Sequence, residues 1–129
     1  MIRNLTRNTV LAESERLADR WFIRLRGMIG HDFSAFDGMV FPDCSAIHTF
    51  FMGMKIDVLF LDENGMVRRA CPEVPPWKCC LMEKSASVTV ELPAGTISGT
   101  QTSVGDFIGL KNEKKNAILS GDLKRGEVF

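Results

Sequence analysis

The sequence predicts a mainly β fold, a compact antiparallel β-sandwich or small barrel with one N-terminal amphipathic helix. Three observations lead to this prediction. One helical repeat of apolar residues comes early in the chain, and from Gly38 onward the apolar residues alternate as they do in strands. Turn signals, led by Asn64-Gly65, separate the short apolar runs. The sequence has no strand–helix alternation and no glycine-rich phosphate loop, which argues against Rossmann and P-loop nucleotide folds.

The predicted helix extends from Ser14 to Ile29. Ser14 is suited to the N-cap position, and Gly30 is suited to the left-handed position that ends a helix. The apolar residues recur at helical spacing, which gives the stripe Leu17, Trp21, Leu25 and Met28. Such a stripe is typical of a helix that packs on a core, so we assign it to the core.

Six further segments have the apolar pattern of strands. They are Met39–Phe41, Ile47–Met52, Ile56–Leu61, Met66–Cys71, Ser85–Leu92 and Phe107–Leu110. In the fifth segment, alternation places Leu92 toward the core and Thr89 and Glu91 toward solvent, so Glu91 is predicted to be a solvated strand residue. The prolines predict a loop over Pro72–Glu83, and Thr96–Thr102 is predicted to form a helical turn.

Length and composition indicate one domain. The 129 residues are 45% hydrophobic and 25% charged, which is ordinary for a globular protein. We assign residues 1–110 to a β-rich domain and residues 111–129 to a polar C-terminal tail. No apolar run approaches the roughly 18 residues that a membrane span needs, and the first residues lack the apolar centre of a secretory signal. We therefore expect a soluble, cytoplasmic protein.

The charge distribution argues against a nucleic-acid partner. Formal net charge is zero, but residues 31–110 carry ten acidic and five basic side chains. Binding to phosphates requires clustered Lys and Arg, and base stacking requires aromatic residues interleaved with basic ones. The chain has no Tyr and no such interleaving.

Asp57 is the most anomalous residue of the predicted strands. It lies within the apolar run Ile56–Leu61, and an unpaired carboxylate there would cost several kcal/mol. Asp57 must therefore be paired, hydrogen-bonded or protonated, either as a polar staple between strands or as a carboxylate in a cleft. His48 is one possible partner, and together the two residues suggest a hydrolase-like base and its orienting group.

A soft-metal site is a further possibility. Cys44, His48, Cys79 and Cys80 are the residue types that bind Zn or Cu, although their spacing matches no zinc motif. Cys44 and His48 would form a nucleophilic pair only if a turn brought them together. The alternative is that the four cysteines are reduced thiols packed as small hydrophobes. We predict no cofactor.

Five sequence blocks occur in a characteristic order. They are RLRGMIG (residues 24–30), PDCSAIHTFFM (42–52), IDVLFLDENG (56–65), ELPAGT (91–96) and VGD (104–106). Over about residues 20–110 they resemble the prokaryotic family called domain of unknown function 192. The resemblance implies a compact β-rich fold, no established activity, and an accessory role with pilus- or secretion-associated partners. The family's characteristic positions fall on His48, Met52, Asp57, Asp62, Gly95, Gly105 and Asp106.

These observations favour a binding or accessory module over an enzyme. We expect a concave apolar face that recognises a small molecule, a peptide or a partner protein. The ligand-binding candidates are His48, Met52, Asp57, Asp62, Trp77, Gly95, Gly105 and Asp106, of which the last is predicted to be a turn cap. The hydrolase with His48 and Asp57 and the soft-metal protein are the two alternatives.

Overall fold

The structure is a computed structural model that describes residues 1–18, 33, 36–47, 49, 53–77 and 81–110. Ten strands and one helix lie within these ranges. In chain order they are β1 (Ile2–Asn4), β2 (Thr9–Ala12), β3 (Arg16–Leu17), β4 (Met39–Pro42), β5 (Ala46–Ile47), β6 (Ile56–Leu61), β7 (Val67–Val74), β8 (Leu81–Met82), β9 (Val88–Pro93), α1 (Thr96–Thr100) and β10 (Ile108–Leu110).

The strands form three sheets. The largest has the order β3-β4-β9-β6-β7, the second has the order β10-β1-β2, and β5 pairs with β8. Every pairing between these strands is antiparallel except that of β3 with β4. The prediction of a mainly β, mostly antiparallel fold is confirmed. The alternative of a small closed barrel is wrong, because the sheets formed by the described residues are open.

The β6–β7 hairpin forms at the predicted Asn64-Gly65 turn. The backbone N–H groups of Asn64 and Met66 donate to Oδ1 of Asp62 at 2.9 and 3.0 Å. Gly65 has a φ of 85°, in the left-handed region that glycine occupies without steric penalty. Asp62 and Gly65 together therefore fix the turn and the register of the two strands.

The predicted N-terminal helix is wrong at its start. Arg16 and Ala18 donate their N–H groups to the carbonyls of Gly38 and Val40, so this segment is strand β3 beside β4. Pairing with a distant strand here outweighs the local helical spacing. The rest of the predicted helix, residues 19–29 with Gly30 after it, lies outside the described residues.

The short helix of the structure, α1, comes after β9 and confirms the helical turn predicted at Thr96–Thr102. Gly95 precedes it with a φ of 96°, and Asp57 accepts a hydrogen bond from the second residue of the helix, Ile97. Among the helices of the described ranges, none has the length and apolar character needed to cross a membrane.

The predicted loop over Pro72–Glu83 is wrong at both ends. Strand β7 continues through Pro72 to Val74, and β8 occupies Leu81–Met82. Pro72 fits within β7 because β7 is an edge strand of its sheet, where a missing N–H breaks no ladder.

The five-stranded sheet is covered on both faces. We call one the α1 face, because its cluster of buried residues includes Ile97 of the helix together with Val40, Leu59, Val90 and Leu92, and also Ile2, Leu11, Ile108 and Leu110 of the three-stranded sheet. We call the other the Glu91 face; its cluster contains Ala18, Phe36, Met39, Phe41, Ile56, Val58, Phe60, Val74 and Leu81. Thr89 and Glu91 are buried rather than solvated as predicted, because the residues of the Glu91 face cover this side of β9.

Candidate binding face

Asp57 is fully buried on the α1 face, with an exposed fraction of 0%. Its Oδ1 accepts the N–H of Glu73 at 2.8 Å, and its Oδ2 accepts the N–H of Ile97 at 2.7 Å. The prediction that this carboxylate is buried and hydrogen-bonded is confirmed. Both oxygens hold backbone groups of β7 and α1, so the geometry favours the polar staple over the cleft carboxylate.

Asp106 is the centre of a second polar cluster and is 5% exposed. Its Oδ2 accepts hydrogen bonds from Asn4 Nδ2 at 2.9 Å, Arg7 Nε at 2.7 Å and the Ser103 N–H at 3.0 Å. Burial favours the neutral acid, but the hydrogen bonds from Asn4, Arg7 and Ser103 outweigh it and lower the pKa of Asp106. The predicted turn cap is confirmed by the Ser103 bond. Asp106 also joins the loop after β1 to the turn before β10.

The two candidate glycines serve the backbone. Gly95 and Gly105 both have a φ of 96°, and a Cβ built on either would meet no atom within 4 Å. Glycine is favoured at these positions by conformation rather than by lack of space. Asp62 likewise holds the hairpin turn, and Arg68 approaches it at 3.9 Å. The structure thus gives Asp62, Gly95 and Gly105 roles in turns, and a role in ligand binding stays a prediction.

His48, Met52, Cys79 and Cys80 lie outside the described residues. The predicted pairing of His48 with Asp57 and the four-residue metal set are therefore not described. Cys44 is partly buried and its Sγ donates to the carbonyl of Ala46 at 3.1 Å. Within the described ranges, no group of three or more His, Cys, Asp or Glu residues is placed to hold a metal ion.

Trp77 is the exposed aromatic residue among the predicted ligand-binding candidates. Its N–H donates to the carbonyl of Thr49 at 2.8 Å, and its side chain is 61% exposed. Its φ of 63° is in the left-handed region, which a bulky residue adopts at an energetic cost. Trp77 and the buried Asp57 therefore differ sharply in access to solvent, and they do not line one open hollow together.

Glu91 is the functional candidate that the sequence reading missed. It is 3% exposed on β9, with Met39 of β4 and Val58 of β6 directly opposite on either side. Its Oε2 has no hydrogen-bond partner among the residues that the structure describes. Burial raises the pKa of Glu91 to about 8 from its ordinary value of 4.5, so the side chain is mostly a neutral carboxylic acid at pH 7.

The neighbours of Glu91 on this face are mostly apolar. Phe41 and Phe60 flank Thr89, the next residue of β9 on the same face. Thr89 donates its hydroxyl to the carbonyl of Cys44 at 2.8 Å, so its own polar group is satisfied. Glu91 is thus an unsatisfied acid among aromatic and aliphatic side chains.

The basic side chains of this face have other partners. The Arg16 guanidinium lies 4.7 Å from the centre of the Phe36 ring, and Arg69 Nη1 donates to the carbonyl of Met82 at 2.7 Å. Burial raises the pKa of the Cys71 thiol, and the charge of the neighbouring Arg69 offsets this only in part. None of these groups forms an ion pair with Glu91 in the described part of the chain.

One sequence signal points toward a buried Glu91. The nearly continuous apolar run Ile56–Leu61 is typical of a strand covered on both faces, and strands beside it in the sheet are covered in the same way. Using this signal requires knowing that β9 lies beside β6. The alternation within Ser85–Leu92, read alone, indicates a solvated outer face instead.

Comparison with known proteins identifies the family. The DUF192 family, described as Uncharacterized ACR, matches residues 4–110. The chain belongs to the DUF192 family. This confirms the resemblance drawn from the five sequence blocks and extends it toward the N-terminus, from about residue 20 to residue 4.

One relative and two solved structures are similar to this chain. A UPF0127 protein from Thermococcus sibiricus (strain DSM 12597 / MM 739) is 29% identical over 127 residues, which cover 92% of this chain and 80% of the relative. A protein of unknown function from Novosphingobium aromaticivorans DSM 12444 matches with a TM-score of 0.66 and 16% identity over 74% of each chain. A candidate transcription regulator from Sinorhizobium meliloti 1021 matches with a TM-score of 0.66 and 21% identity, over 73% of this chain and 78% of its own. At these identities the two structures show the fold alone.

Proposed function

We propose that this chain is a small binding module whose ligand contacts the Glu91 face. The observation that carries the proposal is the buried Oε2 of Glu91, which has no hydrogen-bond partner among the described residues. Buried polar atoms are nearly always satisfied, and leaving one unsatisfied costs about 1–3 kcal/mol. A bound ligand would supply the missing hydrogen bond.

The composition of the face supports binding. Ligand sites are mostly apolar and contain a few polar groups that fix the orientation of the ligand. Met39, Phe41, Val58 and Phe60 provide the apolar surroundings, and Glu91 provides the polar group. A strongly perturbed titratable residue in such surroundings is also a recognised indicator of a functional site.

The margin of the Glu91 face is partly exposed. Several members of this cluster are only partly buried, so the face meets solvent there. They are Phe33, Cys44, Ile47, Met54, Cys71 and Ala86. We place the entry of a small ligand at this partly exposed margin.

The hydrolase alternative receives less support from the geometry. It requires Asp57 to orient a catalytic His48 beside an open pocket. The exposed fraction of Asp57 is 0%, and each of its oxygens accepts a backbone N–H. Asp57 is thus committed to holding β7 and α1, whereas Glu91 has hydrogen-bonding capacity to spare.

Methyl-labelled NMR of the full chain tests the proposal with three probes of one shape: benzyl alcohol, benzylamine and benzoate. For at least one probe we expect saturable shifts at Met39, Ile56 and Val58 on the Glu91 face, with Val67 and Ile108 on the α1 face unmoved. Glu91→Leu should abolish these shifts, while the same change at the exposed Glu63 should leave them intact. The proposal is contradicted if no probe gives saturable shifts on this face, or if Glu91→Leu leaves them unchanged. The resonances of the α1 face report in each case that the variant is folded.

A further inference from the structure

We propose that the Glu91 face binds a small organic cation, an alkyl- or arylalkyl-ammonium group that supplies both the hydrogen-bond donor and the positive charge that Glu91 lacks. This inference rests on the proposed binding function and names the chemical class of the ligand. Once ionised, the carboxylate of Glu91 accepts hydrogen bonds through two oxygens, and an ammonium group carries donors only.

The side chains around Glu91 suit a cation. Met39 lies directly opposite, and Phe41 and Phe60 are diagonal neighbours at roughly 7–8 Å between backbone positions. Aromatic faces attract cations through their quadrupole, and the polarizable thioether of Met adapts to irregular ligands. The same cluster already holds one such contact, since the Arg16 guanidinium lies over the Phe36 ring at 4.7 Å.

The described strands around Glu91 provide no positive charge to pair with it. Strands β4, β6 and β9, which surround Glu91, contain no Lys or Arg. The arginines of the outer strands are engaged elsewhere: Arg16 with Phe36, Arg68 near Asp62, and Arg69 with the carbonyl of Met82. An ionised Glu91 would have no counter-charge from these described strands, and an uncompensated buried charge is strongly unfavourable.

Other ligand classes fit less well. An anionic ligand would bury a second negative group where the described strands offer no free positive charge. A neutral alcohol would satisfy a hydrogen bond but would gain nothing from ionisation of the acid. A cation allows Glu91 to ionise, because the ion pair replaces the lost hydration of both charges when it is well hydrogen-bonded.

Ionisation of Glu91 by a bound cation should release a proton that can be measured. Burial holds the pKa of Glu91 at about 8, whereas an alkylammonium group such as that of Lys titrates near 10.4. At pH 6.5 the neutral acid and the ammonium ion combine to form a carboxylate–ammonium pair, and the acid proton passes to solvent. The described charged or titratable groups that share this face are Arg16, Arg69, Cys44 and Cys71. The guanidinium groups are charged throughout this pH range, burial raises the pKa of the Cys71 thiol, and the Cys44 thiol donates to the carbonyl of Ala46. We therefore assign the released proton to Glu91.

Calorimetry tests the inference with benzylamine, benzyltrimethylammonium, benzyl alcohol and benzoate at pH 6.5. Titrations in phosphate and in imidazole, which differ in ionisation enthalpy, report the number of protons released. We expect about one proton released per benzylamine bound and none for benzyl alcohol. Benzylamine should bind about tenfold or more tightly than benzyl alcohol, and benzoate should bind most weakly. Benzyltrimethylammonium carries the charge without an N–H donor, so its affinity should lie between those of benzylamine and benzyl alcohol.

Glu91→Gln tests whether the acid group of Glu91, rather than the shape of its side chain, is responsible for binding the cation. The amide keeps the size and a hydrogen-bonding oxygen but cannot ionise, so proton release should disappear and affinity for benzylamine should fall about tenfold or more. Affinity for benzyl alcohol should change little, and Glu63→Gln, at an exposed turn residue, should behave as wild type.

The outcomes distinguish this inference from the proposed function. Equal affinity for benzyl alcohol and benzylamine without proton release would overturn the cation class while leaving the binding module in place. Absence of saturable binding for every probe would overturn both. Proton release that persists in Glu91→Gln would show that the cation ionises another group, and would overturn the assignment to Glu91.

Discussion

Asp106 and Glu91 are both almost completely buried, yet their surroundings affect them in opposite ways. Asp106 accepts three hydrogen bonds, one of them from Arg7, and its pKa is lowered. Glu91 has no described donor at Oε2, and burial alone raises its pKa to about 8. The hydrogen-bond donors around a buried acid, rather than burial itself, therefore decide whether the acid is ionised. Asp106 connects two parts of the fold, and Glu91 keeps unused hydrogen-bonding capacity.

The largest predicted effect is a loss of stability as pH rises. It tests whether burial keeps Glu91 neutral in the folded chain. Glu91 titrates near 4.5 when unfolded and near 8 when folded. Its neutral form is compatible with the fold, so its contribution is fully present below pH 4.5 and is lost as pH rises to about 8. The difference between the two pKa values corresponds to a loss of at most roughly 5 kcal/mol in the free energy of unfolding, at about 1.36 kcal/mol per pH unit.

Urea unfolding of wild type and Glu91→Gln at pH 5, 7 and 9 measures this effect. The variant should lack the decline that wild type shows between pH 5 and pH 9, because its side chain cannot ionise. Parallel pH profiles for the two proteins would mean that Glu91 ionises at an ordinary pKa in the folded chain. Glu63→Gln, an exposed acid in the β6–β7 turn, serves as the control and should follow wild type.

Replacing the fully satisfied Asp57 by Ala comes next in size. The change would leave the N–H groups of Glu73 and Ile97 without their acceptor, and an unsatisfied buried group costs about 1–3 kcal/mol. We expect a loss of roughly 2–5 kcal/mol in the free energy of unfolding. Urea denaturation at pH 7 measures it, and a loss below 1 kcal/mol would show that water replaces the carboxylate without penalty.

A smaller effect is expected when Asp106 is changed to Asn. The amide oxygen can still accept one hydrogen bond, but the charge that pairs with the half-exposed Arg7 is removed, so we expect a loss of about 1–2 kcal/mol at pH 7. The lowered pKa of Asp106 makes its contribution present above pH 3.8 and lost as pH falls below that value. The variant should therefore lose less stability than wild type between pH 5 and pH 2. An identical acid transition in both proteins would contradict the assigned role.

Local signals in the sequence predicted the parts of the fold that local chemistry determines. Residues within the element itself predict the Asn64-Gly65 turn, the apolar run of β6 and the turn before β10. Strand β1 has no such local signal, because it forms by pairing of Ile2 with Leu110 at the far end of the described chain. Arg16 and Leu17 likewise form a strand because β4 lies beside them, and their own spacing favours a helix.

The candidate site was only partly predictable for the same reason. The burial of Asp57 follows from its neighbours within one strand, and that prediction is confirmed. The burial of Glu91 depends on β4 and β6 lying on either side of β9 and on a cluster that covers the face, none of which the run Ser85–Leu92 encodes. A polar residue in an alternating strand is predicted to be solvated unless the order of strands in the sheet is known.

The most direct test of the account is the titration of the Glu91 carboxyl group in the folded chain. Carboxyl-labelled ¹³C NMR, with the Glu91 resonance assigned by its loss in Glu91→Gln, measures the midpoint without a ligand. We expect a midpoint near 8, above the ordinary 4.5, because burial favours the neutral acid. A midpoint near 4.5 would mean that Glu91 is hydrated or paired in solution, and it would contradict the unsatisfied buried acid on which both the binding face and its ligand class depend.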